Sequence, residues 1–198
     1  MFDLEKLKKI ELVVFDVDGT LVNDEGEIGE KTKQLIMSLK KLGVLFSFAS
    51  GRLHSALIPL AEELKIYSPL ISLDGSVIKS VSGKIFVYRK FLKKSQVKKA
   101  IEYSEQFQLN IALCHTEAIY FTEQNSVIPK LMNKFGAVYE EVDTYDDFTD
   151  KTLEIVFAGD NRRTVEFIRD KLSFPFTIGT SVSFFQSQSH EGIYYLEV

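Results

Sequence analysis

The first 75 residues alternate between two kinds of run, and this alternation limits the possible fold more than any other feature. "IELVVFD" (10–16), "VLFSFAS" (44–50) and "PLISLDG" (69–75) are short apolar runs, the first of them rich in β-branched residues. That is the pattern of strands covered on both faces. Between the first two, Ile28, Leu35, Ile36, Leu39 and Leu42 fall at helical spacing, and Gly43 is placed to stop the helix. Between the second and third, Leu57, Leu60, Ala61 and Leu64 repeat that spacing. Pro59 predicts that this helix is short or kinked. Strand, helix, strand, helix, strand implies right-handed crossovers and a parallel sheet.

After Gly75 the texture changes. "SVIKSVSGKIFVYRK" predicts a hairpin turning at Ser82-Gly83. Helical patterns follow in "KSQVKKAIEYSEQF", "SVIPKLMNKF" and "RRTVEFIRDKL", separated by strand patterns in "LNIALCH", "AIYFT", "TLEIVFAGD", "FTIGTSVSFFQSQ" and "IYYLEV". Such an order reads as an antiparallel sheet with helices on one face. The sequence thus predicts an α/β protein in three parts. Residues 1–80 form a parallel-sheet core, 81–190 an inserted α+β body, and 191–198 a strand returning to the core.

Composition serves mainly to exclude. Lys plus Arg is 24 and Asp plus Glu 28, a formal charge of −4, which gives no general attraction to nucleic acid or to an anionic membrane. The apolar runs are too short to span a bilayer, and "MFDLEKLKKIELVVFD" does not read as a secretory signal. A single cysteine, Cys114, allows no internal disulfide and fits a reducing cytoplasm.

The chemistry concentrates at the end of the first strand. In "VVFDVDGTLVN", Asp16 and Asp18 flank one apolar residue, and Gly19 lets the chain turn at once, so that both carboxylates can converge. Two like charges this close need a cation or a shared proton between them. A hard ion such as Mg²⁺ takes oxygen donors of this kind. Read alone, D-x-D-G is also a plain strand end with solvated acids. Ser50-Gly51 ends the neighbouring strand, where a hydroxyl and backbone N–H groups can cradle a phosphate, or simply cap a helix.

"FDVDGTLVN", a strand ending "SGR" and a strand ending "LDGSVI" together resemble the haloacid dehalogenase superfamily. The large insertion after the third strand resembles its Cof-like phosphatases. The resemblance implies a three-layer Rossmann-like core, partial here, with an α+β cap that closes over the site. It implies that Asp16 attacks phosphorus, that Asp18 is the acid and base, and that Mg²⁺ sits on the Asp16 carboxylate and the backbone carbonyl of Asp18. Ser50, the Gly51 N–H and the Gly19 turn would bind the phosphoryl group, and Thr20 would support the turn. Arg52 is either a phosphate or substrate contact or half of a surface ion pair. The substrate would be a small phosphorylated metabolite such as a sugar phosphate.

Two departures stand out. Asp74 occupies a position where the family usually has asparagine. The sequence also stops at Val198, before the lysine and the acidic loop that the family places next. The resemblance therefore implies an impaired phosphatase in this form, or a non-catalytic remnant that binds a ligand. The strand at Glu11–Phe15 would lack one neighbour, which predicts self-association. A phospho-acceptor signalling domain is a third reading, poorly matched by D-x-D-G-T and a large insertion. Asp160, in "FAGDNRR", reads as a helix N-cap in preference to a displaced metal ligand.

Overall fold

The computed structural model describes residues 9–23, 25–132, 137–172, 181–187 and 190–198. The chain divides into two compact units, Met1–Arg89 and Lys90–Val198.

The first unit contains β1 (Leu12–Asp16), α1 (Glu30–Lys41), β2 (Leu45–Ala49), α2 (His54–Glu63), β3 (Leu70–Ser72), β4 (Val77–Lys79) and β5 (Phe86–Arg89). They form one sheet in the order β1-β2-β3-β4-β5. β1, β2 and β3 run parallel, and β4 and β5 add antiparallel. On one face, Phe46, Phe48 and Leu70 pack with Ile36, Leu57 and Leu60 from the helices, joined by Val13 and Phe15. Phe15 stacks on Phe46 with ring centroids 5.6 Å apart. Burying a side chain such as Phe48 contributes roughly 2–3 kcal/mol. The period of two sends the alternate residues of β1 to the opposite face, where Leu12 and Val14 remain 48 % and 43 % exposed. Pro59 lies inside α2, which is ten residues long, in keeping with the short helix expected.

The second unit holds α3 (Lys94–Phe107), β6 (Asn110–Cys114), β7 (Ile119–Phe121), α4 (Ile128–Met132), β8 (Tyr139–Glu141), β9 (Glu154–Gly159), α5 (Arg162–Leu172), β10 (Ser183–Gln186) and β11 (Tyr194–Glu197). Its six strands are ordered β10-β11-β9-β6-β7-β8. All pairs are antiparallel except β7 with β8. Val97 and Ala100 of α3 and Val165, Ile168 and Leu172 of α5 bury against Ile111, Leu113, Ile155 and Phe157. Among the described residues no helix is long and apolar enough to cross a membrane.

Three boundaries differ from the sequence reading. The division falls after Arg89 and not at residue 80, because β4 pairs with β3 and carries the whole hairpin into the first sheet. Residues 191–198 do not stand apart as a return to the first unit: β11 is paired on both sides, with β9 and β10, inside the second sheet. The cap of α5 is Asn161, whose Oδ1 accepts the Thr164 N–H at 3.2 Å, one residue after the expected Asp160. The expected strand over 176–180 and helix end over 133–135 lie outside the described residues.

Candidate active site

The parallel register determines what meets at the carboxyl ends of the first unit's strands. Asp16 pairs with Ala49 across β1 and β2, and Ala49 with Ile71 across β2 and β3. The turns that leave these three strands are therefore neighbours, which is where open α/β sheets hold ligands.

The β1 turn is built on Val17, which is fully buried and whose carbonyl accepts the N–H groups of Thr20, Leu21 and Val22. Gly19 adopts φ +71°, a conformation that side-chain-bearing residues avoid. This reversal turns Thr20 back onto the strand, and its hydroxyl donates to Asp16 Oδ2 at 2.9 Å. Thr20 thus does more than support the turn: it fixes the rotation of the Asp16 carboxylate.

The β2 turn carries Ser50, Gly51 and Arg52. The Ser50 N–H donates to the Ile71 carbonyl, and the Ser50 carbonyl accepts the Asp74 N–H at 3.4 Å. The Ser50 hydroxyl accepts the Arg52 N–H at 3.2 Å, leaving its own proton to donate. The Gly51 N–H has no hydrogen-bond partner among the described residues. A hydroxyl and an N–H placed before the start of α2 form a small anion cradle. A β-carbon at Gly51 would lie 3.1 Å from Asp74 Oδ1, so a larger residue there requires the Asp74 carboxylate to shift by a few tenths of an ångström. Asp74 is held in that position by a turn in which Leu73, Asp74 and Gly75 all have positive φ, of 47°, 48° and 93°. The two non-glycine residues carry a strain of about 1–2 kcal/mol each.

Arg52 differs most from the sequence reading. Its Nε–H donates to Asp18 Oδ2 at 2.9 Å and its Nη2–H to Oδ1 at 2.6 Å. An ion pair was one of the two expected roles, but its guanidinium side is not at the surface: the Arg52 side chain is 8 % exposed, against 54 % for Asp18. No short-range pattern could reveal a partner 34 residues away.

Asp16 and Asp18 supply hard oxygen donors, the chemistry that Mg²⁺ takes, with water or a phosphate oxygen completing an octahedron. Among the described residues no group of three or more His, Cys, Asp and Glu side chains is placed to hold a metal. The donors left for such an ion are the Asp16 carboxylate and the Asp18 backbone carbonyl, since both Asp18 carboxylate oxygens accept from Arg52.

A family model described as haloacid dehalogenase-like hydrolase matches residues 13–193. The chain is 25 % identical over 153 residues to the HMP-PP phosphatase of Escherichia fergusonii, covering 76 % of this chain and 55 % of that protein. Over 69 residues it is 39 % identical to the 5-amino-6-(5-phospho-D-ribitylamino)uracil phosphatase YcsE of Bacillus subtilis, 35 % of this chain and 28 % of that one. A solved haloacid dehalogenase-like hydrolase from Bacteroides thetaiotaomicron has the same fold, with a TM-score of 0.72 at 24 % identity over 96 % of this chain and 70 % of the other. The chain thus spans about half the length, or less, of these two curated relatives.

Proposed function

The chain belongs to the haloacid dehalogenase-like hydrolases, and from that membership together with the strand-end geometry we propose that it hydrolyses phosphomonoesters of small metabolites through Asp16. The observation that carries this reading is the register that sets Asp16 beside the turn holding Ser50 and Gly51. An Asp16 oxygen attacks phosphorus and the ester P–O bond breaks, leaving an acyl phosphate on Asp16. Asp18 gives its proton to the departing alkoxide oxygen. Asp18 then takes a proton from water as that water attacks the same phosphorus, which releases phosphate and regenerates the Asp16 carboxylate. The Ser50 hydroxyl and the Gly51 N–H donate to the non-bridging oxygens throughout, an electrostatic stabilisation that the fold prepares in advance. The Asp16 carboxylate and the Asp18 backbone carbonyl are the groups that would hold Mg²⁺, which would supply positive charge to screen the nucleophile from the phosphate.

The test is release of phosphate from 4-nitrophenyl phosphate with Mg²⁺, by this chain or by a longer polypeptide containing it. Asp16→Asn is expected to reduce release to background, since an amide is a poor nucleophile. Undiminished release by that variant would reject the reading.

A second observation supports self-association. β1 pairs only with β2 among the described residues, so its other edge presents unpaired N–H and C=O groups beside exposed Leu12 and Val14. Such an edge is a template for another strand, and we propose that a second copy of the chain pairs there.

A further inference from the structure

We propose that Arg52 is a positioning residue that sets the orientation of Asp18 relative to the phosphate cradle. This rests on the phosphatase reading and adds to it a role for a group that touches neither phosphorus nor the leaving oxygen.

Three observations point this way. The guanidinium meets the Asp18 carboxylate as a fork, with Nε–H on Oδ2 and Nη2–H on Oδ1. Bidentate pairing fixes distance and rotation together, which a point charge does not. The burial is one-sided: the Arg52 side chain is 8 % exposed and that of Asp18 54 %. The enclosed guanidinium is therefore the anchor, and the more exposed carboxylate, on the turn that reverses at Gly19, is the group being placed. The Arg52 backbone is also tied into the cradle, with its N–H on Ser50 Oγ and its carbonyl accepting the Leu73 N–H. One residue thus links the turn that holds phosphate to the carboxylate that handles the proton. When Asp18 carries that proton, its other oxygen still accepts from one arm of the fork, so the carboxyl group stays in place through the transfer.

The rival role is direct phosphate binding by Arg52, and leaving groups separate the two. Arg52→Lys keeps the charge and loses the fork. If Arg52 acts through Asp18, the loss in kcat/KM, which reports the steps through ester cleavage and not the later hydrolysis of the acyl phosphate, grows as the leaving group worsens. It should be small for 4-nitrophenyl phosphate, whose phenolate departs without a proton, and roughly ten-fold or more larger for an alkyl phosphate. Slower hydrolysis of the acyl phosphate, which also uses Asp18, should lower kcat for every ester without raising KM. An equal loss of kcat/KM for every ester, with a raised KM, would make Arg52 a phosphate ligand and overturn the proposal.

A second readout needs neither turnover nor a substitution at a buried site. In arginine-labelled chain, the Arg52 Nε–H resonance should exchange slowly in the wild type and quickly in Asp18→Ala. Inorganic phosphate should shift the Ser50 and Gly51 amides and leave that resonance in place. Equally fast exchange in both proteins, or a phosphate shift of Arg52 as large as that of Gly51, would reject the proposal. Absence of turnover with every ester while the protected Nε–H persists would count against the phosphatase reading and leave the pairing standing.

Discussion

β1 and β9 are strands of similar length and apolar character, and they have opposite surroundings. β9 lies between β6 and β11, and all six of its residues are buried. β1 has β2 on one side, and its residues alternate between exposed and half-buried. The candidate chemistry sits on β1. A strand can therefore orient a carboxylate through its carboxyl-terminal turn and one parallel neighbour, because the local bonds at Val17 and Thr20 fix Asp16. Full enclosure, as in β9, serves the stability of the second unit.

Several measurements can break or sharpen this contrast. The largest expected effect is at the exposed site. Asp18→Ala should lower kcat on an alkyl phosphate by about 10²- to 10⁴-fold, the span associated with losing a general acid and base. Circular dichroism should show that the fold persists, because the substituted side chain is half in solvent. Loss of fold in this variant would mean that the Arg52 pair is a structural member.

The next largest effect belongs to the enclosed strand. Phe157→Ala in β9, at a side chain with no exposure, should cost about 3–5 kcal/mol in urea unfolding. Val14→Lys, at a position 43 % exposed, should stay within about 0.5 kcal/mol and reduce self-association by light scattering. A Val14→Lys cost as large as that of Phe157→Ala would show that this face of β1 is covered in the folded protein.

The smallest expected effect is electrostatic and confined to the second unit. Burial pushes the His115 imidazole below its ordinary 6.5, Lys151 pushes in the same direction, and the bond to the Phe148 carbonyl opposes both. Above 6.5 the ring is neutral in both folded and unfolded chain. As pH falls below that value the unfolded chain takes the proton first, so stability declines until the lower folded value is passed, and then levels. Unfolding midpoints between pH 7.5 and 5 should show this decline, and His115→Gln should flatten it. An unchanged slope in the variant would assign the decline to other groups.

What was legible in the sequence follows the range of the interactions. The strand and helix runs were legible because their periodicity is local, and α3 occupies the whole of "KSQVKKAIEYSEQF". The placement of Asp16, Asp18, Ser50 and Gly51 on neighbouring strand-end turns was legible because each sits where a strand pattern ends; their roles in the reaction stand as proposed. The allegiance of the β4–β5 hairpin was not, since a ladder partner is chosen by edges far apart in sequence. The approach of the Asp74 carboxylate to the Gly51 position depends on a left-handed turn that includes Leu73, a residue with no preference for it. The Arg52–Asp18 fork spans 34 residues and left only the letters S-G-R as a hint. The cap at Asn161 shows how one residue of helix start, invisible to composition, decides which side chain accepts the free N–H.

The central claim is that Asp16 accepts the phosphoryl group, and a covalent label tests it most directly. Asp18→Ala should still attack 4-nitrophenyl phosphate, whose leaving group needs no proton, but should hydrolyse the resulting acyl phosphate slowly. Acid quenching followed by peptide mass spectrometry should then find the phosphoryl group on Asp16, in the peptide spanning residues 10–31, and find none when Asp16→Asn is added. Release of 4-nitrophenol with the label on another residue, or undiminished release with Asp16 replaced, would contradict the account.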